Sequence, residues 1–279
     1  MNWKNVLLIG AVILLPISMM AQANILNAKK PEEVGKKTDA QIEMDNDAPL
    51  EYGYVDDRDI LWSKTVWEVI DLDERVNFPL YYPIDTVDIG SDRRSLYDVL
   101  IKNIKNGKIK DIYVDSYFTE KRDFSDLSAT LQKIDTTDYG YEQLNAGEQV
   151  SPEYINKRDL TAADLEEYLI KGIWYFDKRQ GELKYRLLGI APRAPDVNFI
   201  DDENMDQEEN KVALFWIWYP SARQVLHKAK VFNQRNTAQP ISFDMLLNAR
   251  RFEATIYKED NVYGDREMII FQITHYSSY

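Results

Sequence analysis

The sequence predicts an α+β fold, a mixed or largely antiparallel sheet with helices packed on it. Three observations carry this prediction. Short runs of branched and aromatic residues end in Asn, Pro or Gly, as strands do. Two serines stand directly before apolar stripes of helical period. Strands and helices then follow one another without the strict alternation that builds a parallel sheet. A chain of 279 residues, 44% apolar and 12% aromatic, can bury the core such a fold needs.

From the N-terminus, Lys4 precedes an uncharged apolar run, Val6 to Leu15, followed by Pro16 and the small-residue site Ala21-Gln22-Ala23. This is the three-part layout of a secretory signal peptide, and the run is shorter than the roughly 20 residues of a membrane span. Residues 1–23 are therefore read as a leader cleaved after Ala21 or Ala23, with an uncleaved anchor as the alternative. Residues 24–57 are rich in Lys, Glu, Asp, Pro and Gly, with too few large apolar side chains to offset the entropy of ordering, and read as a flexible tether. Residues 58–279 read as a single α+β domain.

Within that domain, Thr65 to Leu72 and Phe78 to Tyr82 are expected as strands closed by Asn77 and Pro83. Ser95 is expected to cap a helix whose Leu96, Val99, Leu100 and Ile104 form one stripe, stopped at Asn106-Gly107. Thr161 and Asp164 resemble a capping box for a second helix, with Leu165, Tyr168 and Leu169 on its apolar face and Gly172 at its end. Ile173 to Phe176 and Leu183 to Ile190 predict a hairpin in which Gly181 takes the positive φ. Val212 to Tyr219 is a continuous apolar strand, whose lack of alternation implies burial on both faces. Ser221 to Phe232 fits a helix through Ala222, Val225, Leu226 and Ala229, and Ser242 caps a last one carrying Phe243, Leu246 and Leu247.

A loose echo runs through these elements. Trp62, the run Trp67 to Leu72, Leu80-Tyr81-Tyr82-Pro83, the Ser95 helix and Ile112-Tyr113-Val114 are answered in the same order. Their counterparts are Trp174, Tyr185 to Ile190, Ile217-Trp218-Tyr219-Pro220, the Ser242 helix and Ile256-Tyr257-Lys258. An internal duplication would make two similar sub-lobes, residues 58–160 and 161–267. With 18 Tyr and 6 Trp in the chain, chance matching is the competing explanation.

The charge balance, 34 basic against 47 acidic residues for a net −13, argues against nucleic acid or an anionic membrane as partner. The absence of cysteine removes disulfides, thiolate chemistry, Cys-type zinc sites and a lipid-acceptor Cys. Only two histidines exist, His227 and His275, without companions at ligand spacing, so both are read as solvated surface residues. Asp202-x-Asn204-x-Asp206 imitates the start of a calcium loop, but Gln207 replaces the turn Gly and Ala213 the bidentate Glu, so a solvated insertion is the reading taken. Asp56, Asp57 and Asp59 offer paired carboxylates for hydrolysis of a wall polysaccharide, a proximity expected by chance among 47 acidic residues. No GxSxG, phosphate-cradling loop or dinucleotide fingerprint occurs. No catalytic, cofactor-binding or metal-binding residue is assigned, and no cofactor is expected. Aromatic residues beside proline stand out instead: Trp62, Trp67, Tyr81, Tyr82, Trp216, Trp218 and Tyr219 suit both cores and protein–protein contacts.

The run from Glu51 to Asp59, with Leu61 to Asp71 after it, resembles the GldN/PorN family of the Bacteroidetes type IX secretion and gliding machinery. Asn77 to Pro83, Arg93 to Leu96, Trp174 to Arg179 and Val262 to Glu267 are also similar to that family. The resemblance implies a non-enzymatic periplasmic subunit that assembles with an outer-membrane lipoprotein of the GldK/PorK type, and with copies of itself, into a ring under the outer membrane. It also implies proximity to the periplasmic region of the GldM/PorM motor, and no membrane span once the leader is removed. A periplasmic peptidoglycan-active hydrolase or saccharide-binding protein is the alternative. One departure is the end of the chain: Met268 to Tyr279 holds no Asp, Glu, Lys or Arg, where the family continues into a charged helical end. A truncation, a shifted reading frame, or an edge strand from Met268 to Ile273 that pairs with a neighbouring subunit would each account for it.

Overall fold

A computed structural model describes residues 48–85, 93–200, 210–233, 241–262 and 264–265. The leader, most of the tether, the calcium-like run from Asp202, His275 and the segment from Met268 to Ile273 lie outside the described residues. All described residues but Ala48 belong to one unit that begins at Pro49.

The scaffold is a sheet in the order β11-β1-β5-β6-β8-β2, with β7 added beside β6. Its strands are β1 (Ile60–Asp71), β2 (Ile112–Tyr113), β5 (Glu167–Asp177), β6 (Glu182–Pro195), β7 (Lys211–Ala213), β8 (Trp216–Trp218) and β11 (Thr255–Glu259). Every strand pair among the described residues is antiparallel. Two further two-stranded ribbons form from β3 (Gln132–Thr136) with β4 (Ile155–Asp159), and from β9 (Lys230–Val231) with β10 (Ile241–Ser242). Six α-helices complete the described fold: α1 (Phe78–Tyr81), α2 (Leu96–Lys105), α3 (Phe124–Leu131), α4 (Asp138–Asn145), α5 (Tyr219–Lys228) and α6 (Phe243–Asn248). The α+β fold with an antiparallel sheet is therefore as the sequence predicts.

Alternation along the strands makes two cores. In β1, Ile70 enters the main core with Leu96, Leu100, Leu226 and Phe243 from the helices, whereas Trp67 belongs to a second cluster with Leu169, Ala191 and Trp216. The caps form as expected. Ser95 Oγ accepts from Asp98 N at 3.2 Å, and Ser242 Oγ accepts from Met245 N at 3.1 Å. Gly107 takes φ +65 after α2, and Gly181 takes φ +68 in the hairpin between β5 and β6, a conformation glycine adopts without steric cost.

Four local expectations are corrected. The helix expected from Ser221 to Phe232 is α5, which ends at Lys228, because Lys230 and Val231 pair with Ser242 and Ile241 as β9. Phe78 to Tyr82 is not a strand, because its first four residues wind into α1. Asn77 sets the corner: its Nδ2 donates to Asp71 O at 2.7 Å and Glu253 O at 3.0 Å, and its Oδ1 accepts from Glu253 N at 2.9 Å. Pro79 then sits in the first helical turn, where its missing N–H has no partner to lose. The helix expected from Thr161 to Gly172 is one 3-10 turn, Ala162–Asp164, followed by β5. Asp164 Oδ2 does accept from Thr161 N at 2.8 Å, so the N-terminal signal is real. Leu165, Tyr168 and Leu169 fit a helical spacing, yet Tyr168 and Ile170 face the main core and Leu169 the second, which is the period of a strand buried on both faces. The strand expected over Val212 to Tyr219 breaks into β7 and β8, because β6 receives them at separate places, Arg193–Pro195 and Gly189–Ile190, and Tyr219 opens α5. Burial on both faces does hold there, with Phe215 and Ile217 in one core and Trp216 in the other.

The echoed segments do not make separate sheets. β1 from the first segment lies between β5 and β11 from the second, and Leu80-Tyr81 is helical where Ile217-Trp218 is strand. Of the echoed pairs, the two Ser-capped helices correspond most closely.

Candidate functional site

The last residues of the span read as tether lie against the body. Arg223 in α5 donates from Nη2 to Leu50 O at 2.6 Å, Arg186 in β6 donates to Gly53 O at 3.1 Å, and Arg179 donates to Tyr54 O at 3.1 Å. The Tyr52 ring lies between two guanidinium groups, 4.2 Å from that of Arg223 and 4.5 Å from that of Arg186. Residues 50–54 thus form a strap held by three arginines from separate elements.

The strap rests on a buried polar network. Asp244 in α6 accepts from Arg223 Nε at 2.8 Å and Nη2 at 3.1 Å, from Tyr219 Oη at 2.8 Å and from Asn248 Nδ2 at 2.8 Å. Tyr52 Oη donates to Asn248 Oδ1 at 3.1 Å and closes the chain of contacts. Burial raises the Tyr219 pKa, and the adjacent Asp244 carboxylate raises it further, so the phenol stays protonated. Burial opposes the Arg223 charge, but the hydrogen-bonded Asp244 outweighs it and lifts the guanidinium above its ordinary value. Asp244 thus ties α5 to α6 through Arg223, Tyr219 and Asn248, and the network positions the strap.

Between the strap and the tip of the β5–β6 hairpin lies a cleft of about 290 Å³, lined by Tyr54, Tyr175, Asp177, Lys184 and Arg186 among others. Two of the acidic trio considered for hydrolysis, Asp56 and Asp59, have structural roles beside it. Asp56 Oδ1 accepts from Arg58 N at 3.2 Å, and the buried Asp59 pairs with Arg179 Nε at 3.0 Å. Asp57 is exposed. Burial works to raise the Asp177 pKa, but the N–H groups of Arg179 and Gln180 hold it below the usual carboxylate range.

On the face of the sheet that carries the second core, Lys171 Nζ lies over three rings, Trp67 at 4.8 Å, Tyr117 at 4.9 Å and Phe118 at 5.3 Å, and donates to Ser116 O at 2.9 Å. Lys258 lies 4.8 Å above Trp67 and donates to Tyr117 Oη at 2.9 Å. Desolvation lowers the Lys171 pKa, with Lys258 adding repulsion. These cations close the second core where the helices do not reach.

The aromatic residues singled out in the sequence divide. Trp67, Trp216 and Tyr219 are buried, Tyr81 and Trp218 are partly so, and Trp62 and Tyr82 are exposed. Trp62 pairs with Phe176 and Phe176 with Leu183 across β1, β5 and β6, so these three share one face. His227 lies in the last turn of α5. Among the described residues no three His, Asp or Glu side chains converge as a metal site. The strap arginines were missed by the sequence reading. The nearest signal was Leu50, Tyr52 and Tyr54, large apolar residues placed inside a charged run.

The family described as "Gliding motility associated protein GldN" matches residues 55–276 of the chain. No curated protein matches it.

Proposed function

The chain belongs to the GldN family of gliding motility associated proteins, and from that membership we propose a non-enzymatic, periplasmic structural subunit of the type IX secretion and gliding machinery. It docks on an outer-membrane lipoprotein of the GldK/PorK type and on copies of itself, forming a ring beneath the outer membrane. Its other neighbour is the periplasmic region of the GldM/PorM motor. Residues 1–23 serve as the export leader, residues 24 to about 48 as a tether, and the remainder as the docking body. Lacking a cysteine to carry lipid, the body reaches the membrane through its lipoprotein partner.

The family match over residues 55–276 carries this reading. The geometry supports it in two ways. Asp244, Tyr219 and Asp59 are each engaged in fixing backbone segments, and large apolar side chains such as Trp62, Tyr54 and Leu183 stand in solvent, as at surfaces that meet partners. No helix among the described residues is long and apolar enough to cross a membrane. Head-to-tail contacts close into a ring when the rotation per subunit divides the circle. The experiment is co-expression of the mature chain with the lipoprotein, followed by size separation. Co-migration in one large particle is expected, and recovery of the chain only as a free monomer refutes the proposal.

A further inference from the structure

Residues 132–159 fold as an arm of their own. β3 and β4 pair over five consecutive positions from Gln132↔Asp159 to Thr136↔Ile155, and α4 crosses between them. Gly140 lets α4 lie close: a Cβ there would meet Thr136 Cγ2 at 2.6 Å and Val150 Cγ1 at 3.1 Å. Gln143 Oε1 accepts from Ser151 N at 2.9 Å and ties the helix to the returning chain. With Gly140 and Gln143 turned inward, the large apolar side chains of α4 point outward. Tyr139 is 68% exposed, Tyr141 51% and Leu144 57%.

An eight-residue helix that turns its glycine inward and its tyrosines and leucine to solvent inverts the usual pattern of a surface helix. Tyr141 and Leu144 stand three residues apart and so form one ridge. The sequence next to this ridge is acidic, the arm's basic residues Lys133, Lys157 and Arg158 lying on the β3–β4 ribbon. Between residues 134 and 156 the sequence holds Asp135, Asp138, Glu142, Glu148 and Glu153 and no Lys or Arg, with Asp138 one turn before Tyr141 and Glu142 beside it.

We propose that the arm is a docking element whose Tyr141–Leu144 ridge receives a basic, apolar segment of a partner protein. The apolar ridge supplies area to bury, and the acidic rim selects the partner by charge and speeds its approach. A second copy of this chain is the wrong occupant for this ridge, since its net −13 brings like charge to an acidic rim, and contacts between copies in the ring fall to other faces. An anionic lipid surface is disfavoured for the same reason. The inference goes beyond the ring-subunit reading, because nothing in the family assignment singles out this arm.

The test uses the full mature chain and a fluorescent amphipathic peptide of leucine and lysine, with a leucine and glutamate peptide of the same pattern as control. Binding of the lysine peptide alone is expected, weakening as salt is raised. The Tyr141→Ser/Leu144→Ser variant should lose about tenfold or more in affinity. Asp138→Asn/Glu142→Gln should reduce both affinity and salt dependence, while Val262→Ser, exposed and outside the arm, should change neither. All substituted side chains are exposed, so unchanged circular dichroism certifies the fold. Absence of binding, equal binding of both peptides, full binding by the ridge variant, or self-association or capture of anionic vesicles through the ridge would each overturn the proposal. None of these readouts requires the lipoprotein, so the arm and the ring can fail separately.

Discussion

Gly172, in the middle of β5, offers the sharpest test of the packing. A Cβ at this position would lie 2.1 Å from Tyr185 Oη and 2.2 Å from Cζ, far inside van der Waals contact. The ring cannot easily swing away. The Arg250 guanidinium stacks on it at 4.2 Å and Trp174 packs at 4.9 Å. Arg250 is itself fixed by a two-pronged pair with the buried Glu68, at 3.2 and 2.7 Å. Gly172→Ala must therefore displace Tyr185 against an anchored cation. Overpacking of this kind costs about 1–3 kcal/mol, and coupling to the Glu68 pair places it at the upper end. Reduced freedom of the unfolded chain returns about 0.4–1 kcal/mol. A net loss near 2 kcal/mol is expected, a fall in Tm of roughly 4–8 °C for a domain of this size. Tyr185→Leu removes the offending ring atoms, so the double variant should be more stable than the two single losses predict, by about 1 kcal/mol or more. Urea unfolding followed by circular dichroism reads all four proteins. A Gly172→Ala loss below about 0.5 kcal/mol, or simple additivity in the double variant, would show that Tyr185 does not occupy the glycine's space.

Asp244→Asn should cost about 2–3 kcal/mol in urea unfolding, because Arg223 and Tyr219 lose a shared buried anion. Tyr52→Ala should cost about 1–2 kcal/mol, from two cation–π contacts and one hydrogen bond. Its clearer signature is faster cleavage by chymotrypsin at Tyr54 with the body left intact. In acid, Asp111 and Asp177 should contribute in the same direction. The hydrogen bond from Lys121 Nζ, at 2.7 Å, holds Asp111 low, and the Arg179 and Gln180 amides overcome burial to hold Asp177 low. A carboxyl with a depressed folded-state pKa stabilises fully above the unfolded value, near 3.9, and loses that contribution as pH falls through the folded one. Asp111→Asn/Asp177→Asn should accordingly flatten the fall in urea midpoint below about pH 4 and leave the slope near neutrality unchanged.

Local chemistry was legible where it did not depend on a distant partner. Ser95, Ser242, Asn106-Gly107 and Gly181 each act on backbone within a few residues, and all four do in the structure what the sequence predicts. Phe78 to Tyr82 was misread because the corner depends on Asn77 reaching Glu253, a residue of the distant C-terminal part. Leu165 to Leu169 was misread because a central strand, buried on both faces, has lost the alternation that would separate it from a helix. The correct Thr161–Asp164 signal made this harder, since a capping turn says where a helix can start and nothing about whether it continues.

The strap and the arm lay beyond the sequence reading for a different reason. A strap is recognisable only through what holds it, and Arg179, Arg186 and Arg223 are spread over the β5–β6 turn, β6 and α5 with no spacing to connect them. The arm was left unassigned because α4 carries glycine where a packed helix usually carries its apolar face, so its pattern matches neither a core helix nor a polar surface one. That mismatch is itself informative. A side chain that violates burial preference on a tied-down element is explained by a contact outside the chain more readily than by poor folding. By the same argument the row from Trp62 through Phe176 to Leu183 and the ridge of Tyr141 and Leu144 are separate faces: one extends the regular sheet at its hairpin end, the other projects from an independent ribbon. The proposed subunit, meeting more than one neighbour, would need faces on different elements, so that occupying one leaves the other's geometry unaltered.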